Sequence, residues 1–111
     1  MAKYVFIYHA PMTPADATPP TPEQMGAVMG QWNAWAAKVG DRLVDFGTPL
    51  AGGIRVTTEG TSPSTRDVVG YSILEAADFD EALGLASDHP HLHMPGGCVI
   101  EVHEAQAIPG M

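Results

Sequence analysis

From Tyr4 to Tyr8 the chain is apolar on both sides of an extended segment: Val5 and Ile7 point one way, and Tyr4, Phe6 and Tyr8 the other. Such a strand, over residues 3–9, expects cover on both faces. Pro11, Pro14, Pro19 and Pro20 make residues 10–20 a loop with the makings of a lid. Thr21-Pro22-Glu23-Gln24 then starts a helix: Thr21 caps it, Pro22 suits its first turn, and Gln24 completes a capping box. Met25, Val28, Met29, Trp32, Trp35, Ala36, Val39, Leu43 and Phe46 recur at helical spacing. All lie on one helical face, so the stripe reads as core rather than as a cofactor box. Gly40 weakens this helix, and Gly47 with Pro49 ends it.

Residues 50–58, with Ile54-Arg55-Val56-Thr57-Thr58, read as a weaker strand at a sheet edge, and residues 59–66 as a hairpin loop. Asp67 to Glu75 is a clear strand. Asp78 caps a second helix, with Glu81 three residues on and Phe79, Ala82, Leu83 and Ala86 as its buried stripe. Pro90 stops it, Gly97 to Glu104 forms the last strand, and residues 105–111 are a tail. The expected order is β-α-β-β-α-β: a single α+β domain over residues 1–111, with its core in about residues 3–104. This is the ferredoxin-like pattern, with two helices on one face of a four-stranded antiparallel sheet. Val69, Tyr71 and Ile73 make the other sheet face apolar as well. A second copy packed sheet to sheet would cover it, giving a homodimeric α+β barrel.

Composition narrows the partners. The 111 residues hold five Lys and Arg against a net charge of −8. Phosphate backbones and anionic lipid surfaces are held by basic side chains, so neither nucleic acid nor a membrane is an expected partner. No apolar run approaches the length of a membrane span, and the start of the chain reads as a strand rather than a signal peptide. The one cysteine, Cys98, lies in an apolar run and cannot form an internal disulfide, which suits a reducing, cytoplasmic location.

Three stretches together carry a family resemblance. They are Tyr4-Val5-Phe6-Ile7-Tyr8; Asp41 to Leu50; and Gly70 to Ala76 followed by Asp80-Glu81-Ala82, His89-Pro90-His91-Leu92 and Gly96 to Val102. In order and spacing the chain resembles the YCII-related (DGPF-like) family over nearly its whole length. The resemblance implies a dimeric α+β barrel but no single activity: most such proteins have no assigned function, and some relatives handle chlorinated aromatic or lactone metabolites. It also implies a suspected catalytic pair, a histidine in the first helix and an aspartate before a proline after the second. Here the corresponding first-helix turn, Gly30-Gln31-Trp32, has no histidine, and His89 precedes Pro90 with Asp88 one place earlier.

Asp88-His89-Pro90-His91-Leu92-His93 holds three of the five histidines at alternating positions. In an extended segment all three would share a face, and the topology carries His93 toward His9. Three readings follow. One is a small-molecule enzyme or binding protein. Its cleft, walled by Tyr8, Trp32 and Trp35 with His93 nearby, would use His9, Asp88, His89 and His91 for acid–base chemistry such as elimination or isomerisation, since imidazoles titrate near neutrality. Another is a non-catalytic dimeric interaction module. The third is a metal site through His89, His91 and His93, or His9, His91 and His93, although no standard zinc spacing is present. No cofactor is expected. Arg42 reads as a solvated or salt-bridged helix residue, and Ser62, Ser64 and Ser72 lack the setting of a nucleophile.

Overall fold

The computed structural model describes residues 2–11, 21–64, 67–93 and 97–107. Most of the Pro-rich 10–20 loop, Arg66, Gly96 and the end of the tail lie outside them. Strand β1 (Ala2–His9) is followed by helix α1 (Pro22–Val39), strand β2 (Leu43–Asp45), strands β3 (Ile54–Thr57) and β4 (Gly60–Pro63), strand β5 (Val68–Ala76), helix α2 (Phe79–Ser87) and strand β6 (Val99–Glu104). The main sheet is antiparallel in the order β2-β5-β1-β6. With two helices, this α+β arrangement is compatible with a ferredoxin-like fold. No helix among the described residues is long and apolar enough to cross a membrane.

Alternation in β1 and β5 decides where the core sits. Tyr4, Phe6 and Tyr8 share a buried face with Ser72, Leu74 and Ala76. Trp35 and Val39 of α1 and Ala82 and Ala86 of α2 join the same cluster, so both helices cover one face. Burying side chains the size of Phe6 or Leu74 stabilises by about 1.5–3 kcal/mol each. Val5, Ile7, Tyr71 and Ile73 remain half-buried on the opposite face, which no helix among the described residues covers.

The caps form as expected. Thr21 Oγ1 accepts from the Gln24 N–H at 3.1 Å while Gln24 Oε1 accepts from the Thr21 N–H at 2.9 Å. Asp78 caps α2 by accepting from the Glu81 N–H at 2.9 Å. Glu81 does not return that bond to Asp78; it accepts from the Ala77 N–H and pairs with Arg42. These contacts hold its carboxyl below the ordinary range, the Arg42 contact contributing most.

Three expectations are corrected. Helix α1 stops at Val39, because Gly40 takes a positive φ of 63° that its predecessors could not follow. Leu43 therefore lies in a strand, Phe46 in a loop, and the edge strand of the main sheet is Leu43–Asp45 rather than residues 50–58. Residues 54–57 and 60–63 instead pair only with each other, Ile54 opposite Pro63 and Val56 opposite Thr61. That hairpin is exposed throughout, with Ile54 63% and Val56 74% accessible. Finally, the helical stripes are only partly core: Met25, Met29, Phe79 and Leu83 are exposed. Phe79 packs edge-on against Tyr4 with ring centres 5.0 Å apart.

Candidate functional site

A cavity of about 430 Å3 opens where the first half of α1 leaves the sheet. Val28, Met29 and Trp32 form its helix wall, and Tyr8, Val69 and Gly70 its sheet floor. The loop Phe46–Pro49 closes one side and His91 another. That volume lies in the range of small-molecule pockets, and its lining is almost wholly apolar.

Two glycines let the loop after β2 come this close. Gly47 has φ 79°, and a Cβ there would fall 1.8 Å from the Tyr71 carbonyl oxygen. At Gly70 a Cβ would press on Tyr8 and on the Thr48 carbonyl oxygen, at 3.3 and 3.4 Å. The loop is tied down by the Tyr8 hydroxyl, which donates to Ser72 Oγ at 2.8 Å, while Ser72 donates to the Phe46 carbonyl at 2.7 Å. Burial pushes the Tyr8 hydroxyl up to about 12, with the Ser72 bond opposing. Tyr8 is thus a wall and an anchor, not an acid at neutral pH.

Residues 90–93 form a 3-10 turn rather than an extended segment. As a result His89, His91 and His93 do not share a face. His89 is fully buried, its ring centre 4.3 Å from each of Trp32 and Trp35 and 4.8 Å from Tyr8. Its Nδ1 accepts from the His91 backbone N–H at 3.0 Å, so the neutral ring carries its proton on Nε2, which has no partner among the described residues. Burial, with His91 adding to it, pushes the His89 imidazole down to about 3. His89 is thus held as a buried ring whose surroundings favour the neutral form.

His91 is the imidazole of the cavity. Its Nε2 donates to the His9 carbonyl at 2.9 Å. A carbonyl only accepts, so the neutral ring leaves Nδ1 as a bare lone pair. No hydrogen bond engages that Nδ1 among the described residues, and His91 lines the cavity.

The other candidates do not converge there. The His9 side chain lies on the open sheet face, where Nδ1 meets Asp67 at 2.8 Å and Nε2 meets Glu101 at 3.1 Å. Strand alternation puts it opposite Tyr8, and only its carbonyl reaches His91. Both partners are carboxylates, so only the doubly protonated ring makes both contacts at once. The His9 contact lowers the Asp67 carboxyl; His103 and then His9 lower that of Glu101. Asp88 is exposed and pairs with Lys38 at 2.8 Å. Trp35 is a core residue whose Nε1 donates to the Leu85 carbonyl at 3.0 Å. His93 is exposed in a shallow depression beside Lys38 and Asp88, which His9 does not line. Among the described residues no three His, Cys, Asp or Glu side chains gather to hold a metal ion.

Of the expected set, Tyr8, Trp32 and His91 therefore meet in one cavity, with His89 packed behind them. Sequence reasoning missed the Phe46–Pro49 wall and the two carboxylates around His9. The wall had a signal in Gly70, since a glycine inside a clear strand marks close backbone approach. The chain matches no protein-family model, and no curated protein matches it significantly.

Proposed function

We propose that this protein binds a small, largely apolar molecule in the cavity beside Trp32, with His91 as the group that would do acid–base chemistry on it. The observation that carries this reading is an imidazole that lines an apolar, aromatic-walled space, with its Nε2 held by the His9 carbonyl and its Nδ1 unengaged among the described residues. An elimination or isomerisation, which needs one base and no metal, fits that equipment. The strand order and the His89-Pro90-His91 stretch support a place among YCII-related proteins. The half-buried apolar residues Val5, Ile7, Tyr71 and Ile73 support a homodimer joined through the open sheet face as an α+β barrel. A reducing compartment such as the cytoplasm suits the single cysteine.

A thermal-shift screen of small aromatic and alicyclic compounds tests the site. The expected result is a set of compounds that stabilise the wild type and lose their effect in Met29→Trp, which fills the cavity from α1. Compounds that stabilise both proteins equally, or none that stabilise the wild type, would overturn the reading.

A further inference from the structure

The cavity wall has a chemical bias that narrows its ligand. Trp32 and Phe46 lie nearly parallel, 29° between planes with centres 6.2 Å apart, and Tyr8 meets Trp32 edge-on at 5.0 Å. Such surfaces favour a flat ring over a flexible chain. No Lys, Arg, Asp or Glu lines the cavity among the described residues. A ligand ion would lose its water there without gaining a counter-charge, which is costly. The Tyr8 proton is spent on Ser72 and the His91 Nε2 proton on His9, while the Trp32 indole N–H and the Tyr71 hydroxyl belong to other lining residues. Thr48 keeps a hydroxyl at the exposed side. Among the lining side chains, His91 carries an acceptor, Nδ1, that no hydrogen bond engages among the described residues.

We infer that the cavity takes a flat, neutral molecule bearing a hydroxyl, whose O–H donates to His91 Nδ1. The inference rests on the cavity being a ligand site at all. A ring of the same shape without the O–H leaves Nδ1 dry and unpaired, and that penalty is the source of selectivity.

Three probes of one shape test it at pH 8, where a naphthol hydroxyl keeps its proton. They are 2-naphthol, 2-methoxynaphthalene and 2-naphthoate, titrated calorimetrically. 2-Naphthol is expected to bind about tenfold or more tightly than the other two. His91→Phe is expected to bring 2-naphthol down to the level of the ether. Because that variant also loses the His9 contact, the side-chain nitrogen NMR spectrum of the wild type supplies a second readout: the His91 Nδ1 signal should move with 2-naphthol and stay with the ether. Equal binding of naphthol and ether, tighter binding of naphthoate, or an unmoved Nδ1 signal overturns the ligand class while leaving the cavity a binding site. No binding of any probe, with Trp32 fluorescence unchanged, overturns the site itself.

Discussion

His89 and His91 sit two residues apart and have opposite fates. His89 is enclosed by three aromatic rings, so protonating it would bury a charge with no counter-ion. Its folded-state pKa, about 3, lies below the ordinary value of an unfolded histidine. Between those values the unfolded chain binds a proton that the folded chain does not. The stability His89 contributes is therefore present above the unfolded value and is lost as the pH falls toward 3. Urea unfolding at steps from pH 7 to pH 4 should show stability falling with acid. His89→Gln, which keeps an acceptor for the His91 N–H but cannot titrate, should lower that proton uptake by about one. Gly47 offers a second test at this scale. Alanine there combines a positive φ with a Cβ driven into the Tyr71 carbonyl. Gly47→Ala should cost about 3 kcal/mol or more in denaturant melts, and shift the NMR signals of Phe46 and Trp32 on the cavity wall.

Among the elements, the helices and the long strands were legible and the short edge was not. Thr21 through Gln24 and Asp78 announce their helices because capping is local chemistry. The apolar alternation of β1 and β5 likewise follows from neighbours in sequence. Strand β2 has only three residues, and Leu43 and Phe46 continue the helical spacing of α1, so periodicity runs straight through a break made by Gly40. Residues 54–57 are β-branched enough to look like sheet, and they are sheet, but their partner is the next turn of chain and not the core. For the same reason the cavity was half readable. Tyr8 and Trp32 stood out by type, while the loop wall depended on a tertiary approach and His9 faced the wrong way by one step of alternation. Because the β3–β4 hairpin buries none of its residues, replacing Ile54–Pro63 with a short Gly-Ser turn should change stability by less than about 0.5 kcal/mol in urea unfolding. A loss of several kcal/mol would mean that the hairpin is packed in solution.

At the scale of the whole molecule, one sheet face is closed by both helices and the other carries Val5, Ile7, Tyr71 and Ile73 beside a rim of His9, Asp67, Glu101 and His103. The proposed dimer covers the apolar centre and leaves the rim charges to set the register. Ile73→Asp places a carboxylate at that centre without touching the helix side. Sedimentation should then show a monomer with wild-type helical content, against a dimer for the unaltered chain. A wild type that sediments as a monomer at all concentrations would remove the dimer from the account.

His9 belongs to both sides of the sheet. Its side chain is held by the rim carboxylates, and its carbonyl anchors the imidazole of the cavity. A ligand that tugs His91 loads the same residue that an apposed copy would press upon. If the ligand binds monomer and dimer with different affinity, the two equilibria are coupled, and the coupling is reciprocal. Ligand affinity should then depend on protein concentration, and ligand should shift the association constant by the same factor, so that the occupant of the cavity regulates assembly from the far side of the sheet.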